Sequence, residues 1–173
     1  MKKNYGFIHE KLEIKVLILF VMRRLSDPVS LEELKEIAMC DDGIGYFDFM
    51  ECVTNLTKTG HLRLDEEKYS ITQKGERNGA LTEDSLPYSV RTYAENATFV
   101  LQSRKNRNAM ISTSHTENPD GSCKVTLSLA DGIGEIVSMD MFAVSPQQAQ
   151  ALEKGFRKNA ENVYNALINL ILS

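Results

Sequence analysis

Apolar positions in residues 10–25, EKLEIKVLILFVMRRL, fall at Leu12, Val16, Leu19, Phe20 and Met22. That spacing is close to 3.6 residues and predicts a largely buried helix. Asp27-Pro28 then breaks the periodicity in a turn. Ser30 stands three residues before Glu33, the signature of a capping box, and opens a second helix, LEELKEIAM, with Leu31, Leu34, Ile37 and Ala38 inward. CDDGIG interrupts it. A third helix is expected from Tyr46, with Phe49, Val53 and Leu56 inward and Gly60 just past its end. The period then changes to two. Leu62 and Leu64, and after Asp65-Glu66-Glu67 also Tyr69 and Ile71, alternate with polar residues, as in a two-stranded hairpin. Helix, helix, helix, hairpin is the order of a winged helix-turn-helix.

The pattern resumes after a polar stretch with two glycines and a proline, TQKGERNGALTEDSLP, expected to begin as a helical turn and end as a linker, with the domain boundary near Glu83 to Pro87. A helix is expected over YSVRTYAENATFVLQSRKNR, with Val90, Tyr93, Ala94, Ala97, Val100 and Leu101 as its apolar stripe. Asn118-Pro119-Asp120-Gly121 and Asp131-Gly132-Ile133-Gly134 are turn signals. They separate three β-rich runs, AMISTSHT, CKVTLSLA and EIVSMDMFAV, which predict an antiparallel meander. In the last run either face could be the inner one. Ser145-Pro146 is an N-cap followed by proline at the first helical position. It starts a long final helix with Ala149, Leu152, Phe156, Ala160, Val163, Leu167 and Leu170 in one stripe. The expected fold is α+β: an N-terminal winged helix-turn-helix over residues 1–86, then a linker helix, a three-stranded antiparallel meander and a long C-terminal helix over 87–173. The second part is expected to serve dimerisation or sensing.

Two pieces carry a family resemblance. "YFDFMECVTNLTKTGHL" followed by "YSITQKGE", and the closing "SPQQAQALEKGFRKNAENVYNALI", resemble an uncharacterised family of small Gram-positive bacterial proteins, domain-of-unknown-function family 4364. The distinctive residues are Tyr46-Phe47, the Ile71-Thr72-x-x-Gly75 exit from the hairpin, and Ala149 and Tyr164 in the last helix. The resemblance implies a winged-helix, regulator-like protein and no catalytic residues. "YSITQKGE" also looks like the Y-x-[LI]-T-x-x-G exit common among bacterial winged-helix repressors.

Charge changes this picture. The net charge is −4, and its distribution is uneven. Residues 1–86 hold 12 Lys and Arg against 16 Asp and Glu, whereas residues 87–173 hold 8 of each. A DNA-binding part is usually basic, because phosphate contacts supply most of the affinity. Here it is the acidic part. Helical geometry turns Asp48, Glu51, Thr54, Asn55 and Lys58 of the third helix to solvent. Asn55 and Thr54 suit base edges and Lys58 suits phosphate. Tyr46, Lys35, Arg63, Lys68, Lys74 and Arg77 complete the expected contact set, with Lys2 and Lys3 as further cations. Three consecutive acids at the hairpin tip oppose phosphate contact. The expectation is a homodimeric regulator of double-stranded DNA, with helix 46–59 in the major groove and room for an effector or protein partner. The alternative is a winged helix that binds protein instead of DNA.

Other chemistries find little support. Cys40, Cys52 and Cys123 are far apart, and His9, His61 and His115 lack metal-ligand spacing, so neither metal nor cofactor is expected. Asp41-Asp42-Gly43-Ile44-Gly45 spells the D-x-G-x-G box of some ATPases but lacks their acidic catalytic helix. No phosphate-binding loop or nucleophile elbow occurs, and no enzyme is expected. Arg104-Lys105-Asn106-Arg107 reads as the cationic end of a helix. The longest apolar run, Val16–Met22, is far short of the roughly 20 residues of a membrane span, and no leader-like segment opens the chain. A cytoplasmic protein is expected.

Overall fold

The computed structural model describes residues 7–8, 10–39 and 41–173. The expectations placed on Lys2, Lys3, His9 and Cys40 lie outside them. Among the described residues, six α-helices and two three-stranded antiparallel sheets make an α+β fold. Helix α1 (Lys11–Met22) is enclosed on every side from Val16 onward. Leu12, expected inward, is exposed, because the first turn lies ahead of the region the other elements surround. The helix stops at Met22, where Arg23 and Arg24 swing out to Glu76, Glu83 and Glu95.

Strand β1 (Val29–Ser30) leads directly into α2 (Leu31–Ala38). The Ser30 hydroxyl accepts the Glu33 N–H, and the Glu33 carboxylate accepts the Ser30 N–H, so the expected capping box is complete. Helix α3 (Tyr46–Lys58) buries Phe49, Val53 and Leu56 as expected, together with Cys52. Strands β2 (Leu62–Asp65) and β3 (Lys68–Ile71) form the hairpin, and β1 adds to β3, giving the order β1-β3-β2. Helix α4 (Gln73–Thr82) and a short 3₁₀ turn (Glu83–Ser85) lead into α5 (Tyr88–Met110).

Two compact units divide between Ser103 and Arg104, within α5. The division lies beyond the expected join at residue 87 because Val90, Ala94 and Leu101 belong to the same core as α1, α2 and α3. Tyr93 and Val100 were expected in that stripe and are exposed instead.

The second unit holds β4 (Ile111–Glu117), β5 (Cys123–Ala130) and β6 (Glu135–Ala143), in the order β4-β5-β6, and helix α6 (Pro146–Leu172). This is the expected meander. Val125, Leu127 and Leu129 are buried on one face, and β6 turns Val137 and Met139 to the same side while Ile136 and Phe142 face outward. The Ser145 hydroxyl accepts the Gln148 N–H, capping α6 as expected. Asn159 departs from helical geometry, with φ −129°. Arg107 closes this break by donating to the carbonyls of Arg157 and Lys158 while pairing with Glu161 at 2.6 Å. The basic stretch at the end of α5 is thus engaged within the fold.

Candidate nucleic-acid interface

The outward face of α3 is the candidate site. Phe47, Asp48, Glu51, Thr54, Asn55 and Lys58 are all on the side turned away from the core, as 3.6-residue geometry requires once the opposite face is buried. The helix ends cleanly. Gly60 takes φ +73°, its N–H bonds to the Thr57 carbonyl, and the His61 N–H bonds to the Leu56 carbonyl. These two bonds define a Schellman motif, which satisfies carbonyls that a helix end leaves open.

The acids on this face are met, and half their charge balanced, by a residue distant in sequence. Lys11, at the start of α1, meets Glu51 at 2.6 Å and lies 3.6 Å from Asp48. The hydrogen bond and charge of Lys11 hold the Glu51 carboxyl below its usual range, and the same contact raises Lys11. Lys15 follows one turn later on α1, and its field reaches both Glu51 and His61. Neither lysine was expected at the site. The only sequence signal was their i, i+4 spacing on a helix whose one other charged residue is Glu13, and it does not tell which element they face.

The expected residues separate into groups. Thr54, Asn55 and Lys58 lie together on the outward stripe. Lys74 donates to the Thr59 carbonyl at 2.7 Å, bringing a cation from α4 to the C-terminal end of α3, next to Lys58. Arg77 lies one turn beyond Lys74, exposed. At the other end of the helix, Lys35 pairs with Glu32 and stands 5.7 Å from the centre of the half-exposed Tyr46 ring. Tyr46 in turn packs edge-on against Phe47, which is 86% exposed. Arg63 and Lys68 share the hairpin with Asp65, since Arg63 is opposite Ser70 and Asp65 is opposite Lys68. The tip beyond them is Glu66-Glu67.

The junction between α3, the hairpin and α4 is tightly made. The Thr72 hydroxyl donates to the Gly60 carbonyl and accepts the Gly75 N–H, so one side chain both ties down the end of α3 and caps α4. A Cβ on Gly75 would overlap the carbonyl oxygen of His61. The T-x-x-G motif is therefore a packing requirement: threonine for the cap, glycine for the approach. Thr59 donates its hydroxyl proton to the Asn55 carbonyl, so it can accept from His61 Nδ1–H at 2.8 Å, while Nε2 faces the Asn78 amide at 2.7 Å. That network suits a neutral imidazole. Burial, then Lys74 and Lys15, hold its pKa below the ordinary value.

Asp41 has a similar structural role. Its carboxylate accepts the N–H groups of Phe7 and Gly43 at 2.8 and 2.9 Å, which accounts for the ATPase-like string as a loop tie. No helix among the described residues is long and apolar enough to cross a membrane.

The family model for a domain of unknown function, DUF4364, matches residues 14–171, and the chain belongs to that family. No curated protein and no solved structure matches it.

Proposed function

We propose that the first unit is a winged helix and that the protein is a homodimeric DNA-binding transcriptional regulator. Helix α3 enters the major groove, and the second unit dimerises and senses an effector or partner. One observation carries this reading: Thr54, Asn55 and Lys58 form an outward polar stripe with Lys15 and Lys74 beside its C-terminal half, while Lys11 pairs with Glu51 and lies close to Asp48 of the same helix. Asn55 and Thr54 read base edges in this scheme, and the lysines contact phosphate. Local charge at α3 thereby outweighs the net acidity of residues 1–86. Arg63, nearer the hairpin base, gives a backbone contact, and Lys68 stands beside the acidic tip and balances part of its charge.

Selection of genomic fragments by the purified protein, at low and moderate salt, tests the reading. The expected result is sequence-selective retention that weakens steeply with salt. Lys58→Glu should weaken all sequences alike and lower the salt slope by about 1, whereas Asn55→Ala should cost about 1–3 kcal/mol and relax preference at one base pair. Absence of retention at low salt would overturn it. The exposed Phe47 beside Tyr46, with the acidic hairpin tip, favours a second reading, in which the same face docks protein. That outcome would select it.

A further inference from the structure

The outward face of α3 has a centre line. Phe47, Glu51, Thr54 and Lys58 are all exposed and follow one another at spacings of 4, 3 and 4, so they run along one side of the helix. Phe49, Val53 and Leu56 are buried on the opposite side. Asp48, three residues before Glu51, lies to one side of the line, whereas Glu51 stands on it between Phe47 and Thr54. An acid in that place is the residue hardest to reconcile with a helix that enters DNA, because the phosphates on both sides of the groove repel it.

The contact with Lys11 changes what this acid can do. The ammonium donates to Oε2 of Glu51 at 2.6 Å, which brings a positive charge to the spot and leaves Oε1 as an acceptor. Lys11 also keeps the group ionised, since its hydrogen bond and charge hold the carboxyl below the ordinary range. An ionised carboxylate accepts hydrogen bonds and donates none.

The chemistry of the major groove then selects the base. Only cytosine and adenine present an amino donor there; guanine presents acceptors, and thymine an acceptor and a methyl group. Adenine sets the ring nitrogen N7, an acceptor, beside its amino group, and a carboxylate is repelled by it. Cytosine sets no acceptor beside its own. Resting on the regulator reading above, we infer that Glu51, paired with Lys11, is a specificity-determining residue that accepts from the amino group of one cytosine in the bound duplex. The acid at the centre of α3 is then a reader, and the lysine from α1 is the positioning residue that lets it work among phosphates.

Selection of binding sequences from a pool of randomised duplexes, by the full chain, tests this, with Glu51→Gln, Glu51→Ala and Lys11→Met beside wild type. All four side chains at issue are on the surface, so the variants should fold as wild type does. Wild type should enrich a motif with one position at which cytosine is preferred by about tenfold or more. Glutamine both donates and accepts, as adenine requires, so Glu51→Gln should move that one preference from cytosine to adenine and leave the rest of the motif standing. Glu51→Ala should lose the preference. Lys11→Met should narrow it and weaken binding to every sequence. The same motif from wild type and Glu51→Gln would overturn the inference and leave the regulator intact. So would tighter binding of Glu51→Ala to every sequence with the motif unchanged, since Glu51 would then only repel. An undiminished cytosine preference in Lys11→Met would overturn the role given to Lys11. No enriched motif from wild type at low salt would overturn the regulator reading, and this inference with it.

Discussion

Glu66 and Glu67 form the two-residue connection of the hairpin and take φ values of 44° and 63°. A connection this short matches the twist of its strands only as a mirror-image turn, with both central residues left-handed. Asn-Gly fills such turns with little strain, whereas a side chain like glutamate costs roughly 1–2 kcal/mol per residue there. The pair also places like charges side by side, next to Asp65. The paired change Glu66→Asn and Glu67→Gly should raise stability by about 1–2 kcal/mol and raise the melting temperature accordingly. Thermal unfolding measures this directly, and an unchanged or lower midpoint would refute the strain. The sequence shows three acids between two alternating runs, and from these a hairpin is legible. Its strain is not, because φ depends on the register that the strands adopt.

At the scale of elements, the decisive joint is α4 against the end of α3. Alanine is a better helix former than glycine, so local propensity alone favours Gly75→Ala. The His61 carbonyl oxygen occupies the space such a methyl group would need, and backbone cannot move aside cheaply. Gly75→Ala should therefore lower stability by about 1–3 kcal/mol. Chemical denaturation would show a lower midpoint, and a gain would mean that the joint is looser than its geometry. The elements themselves were largely readable. Capping signals at Ser30 and Ser145 fall where helices start, because each cap is local, whereas Thr72 shows in the sequence only as part of the hairpin exit. Strand β1 was not readable, since two residues carry no period. It exists because Val29 and Ser30 find Tyr69 and Lys68 across the sheet.

At the scale of the whole molecule, there are among the described residues two apolar cores with no residue in common, one around Phe20, Phe49 and Leu34, the other around Val125, Leu127 and Phe156. A cavity in one should leave the other's packing intact. Phe156→Ala removes a buried aromatic from the second core and should cost that unit about 3–5 kcal/mol. Amide exchange should accelerate in β5, in β6 and in the first half of α6, with protection in α1 and α3 unchanged. Equal loss in both units would show a single cooperative core.

By itself the sequence determined the order helix, helix, helix, hairpin, and the meander with its long helix, but it pointed only to a helical turn leading into a linker where the ten-residue α4 stands. Those features follow from periodicity, caps and turns, which act over a few residues. It also placed Thr54, Asn55 and Lys58 outward, because Phe49, Val53 and Leu56 had to be inward. Tertiary structure decided which face of β6 is covered, since both faces carry apolar residues and only packing on α6 selects one. It decided that the acids of α3 meet Lys11 from α1, a contact between elements far apart in the chain that no local pattern encodes. It decided, too, that Gly75 is required by contact while Gly155 is met by nothing, although both are glycines inside helices. A residue's own chemistry sets what it can do, and the company brought by the fold sets which of those things it does.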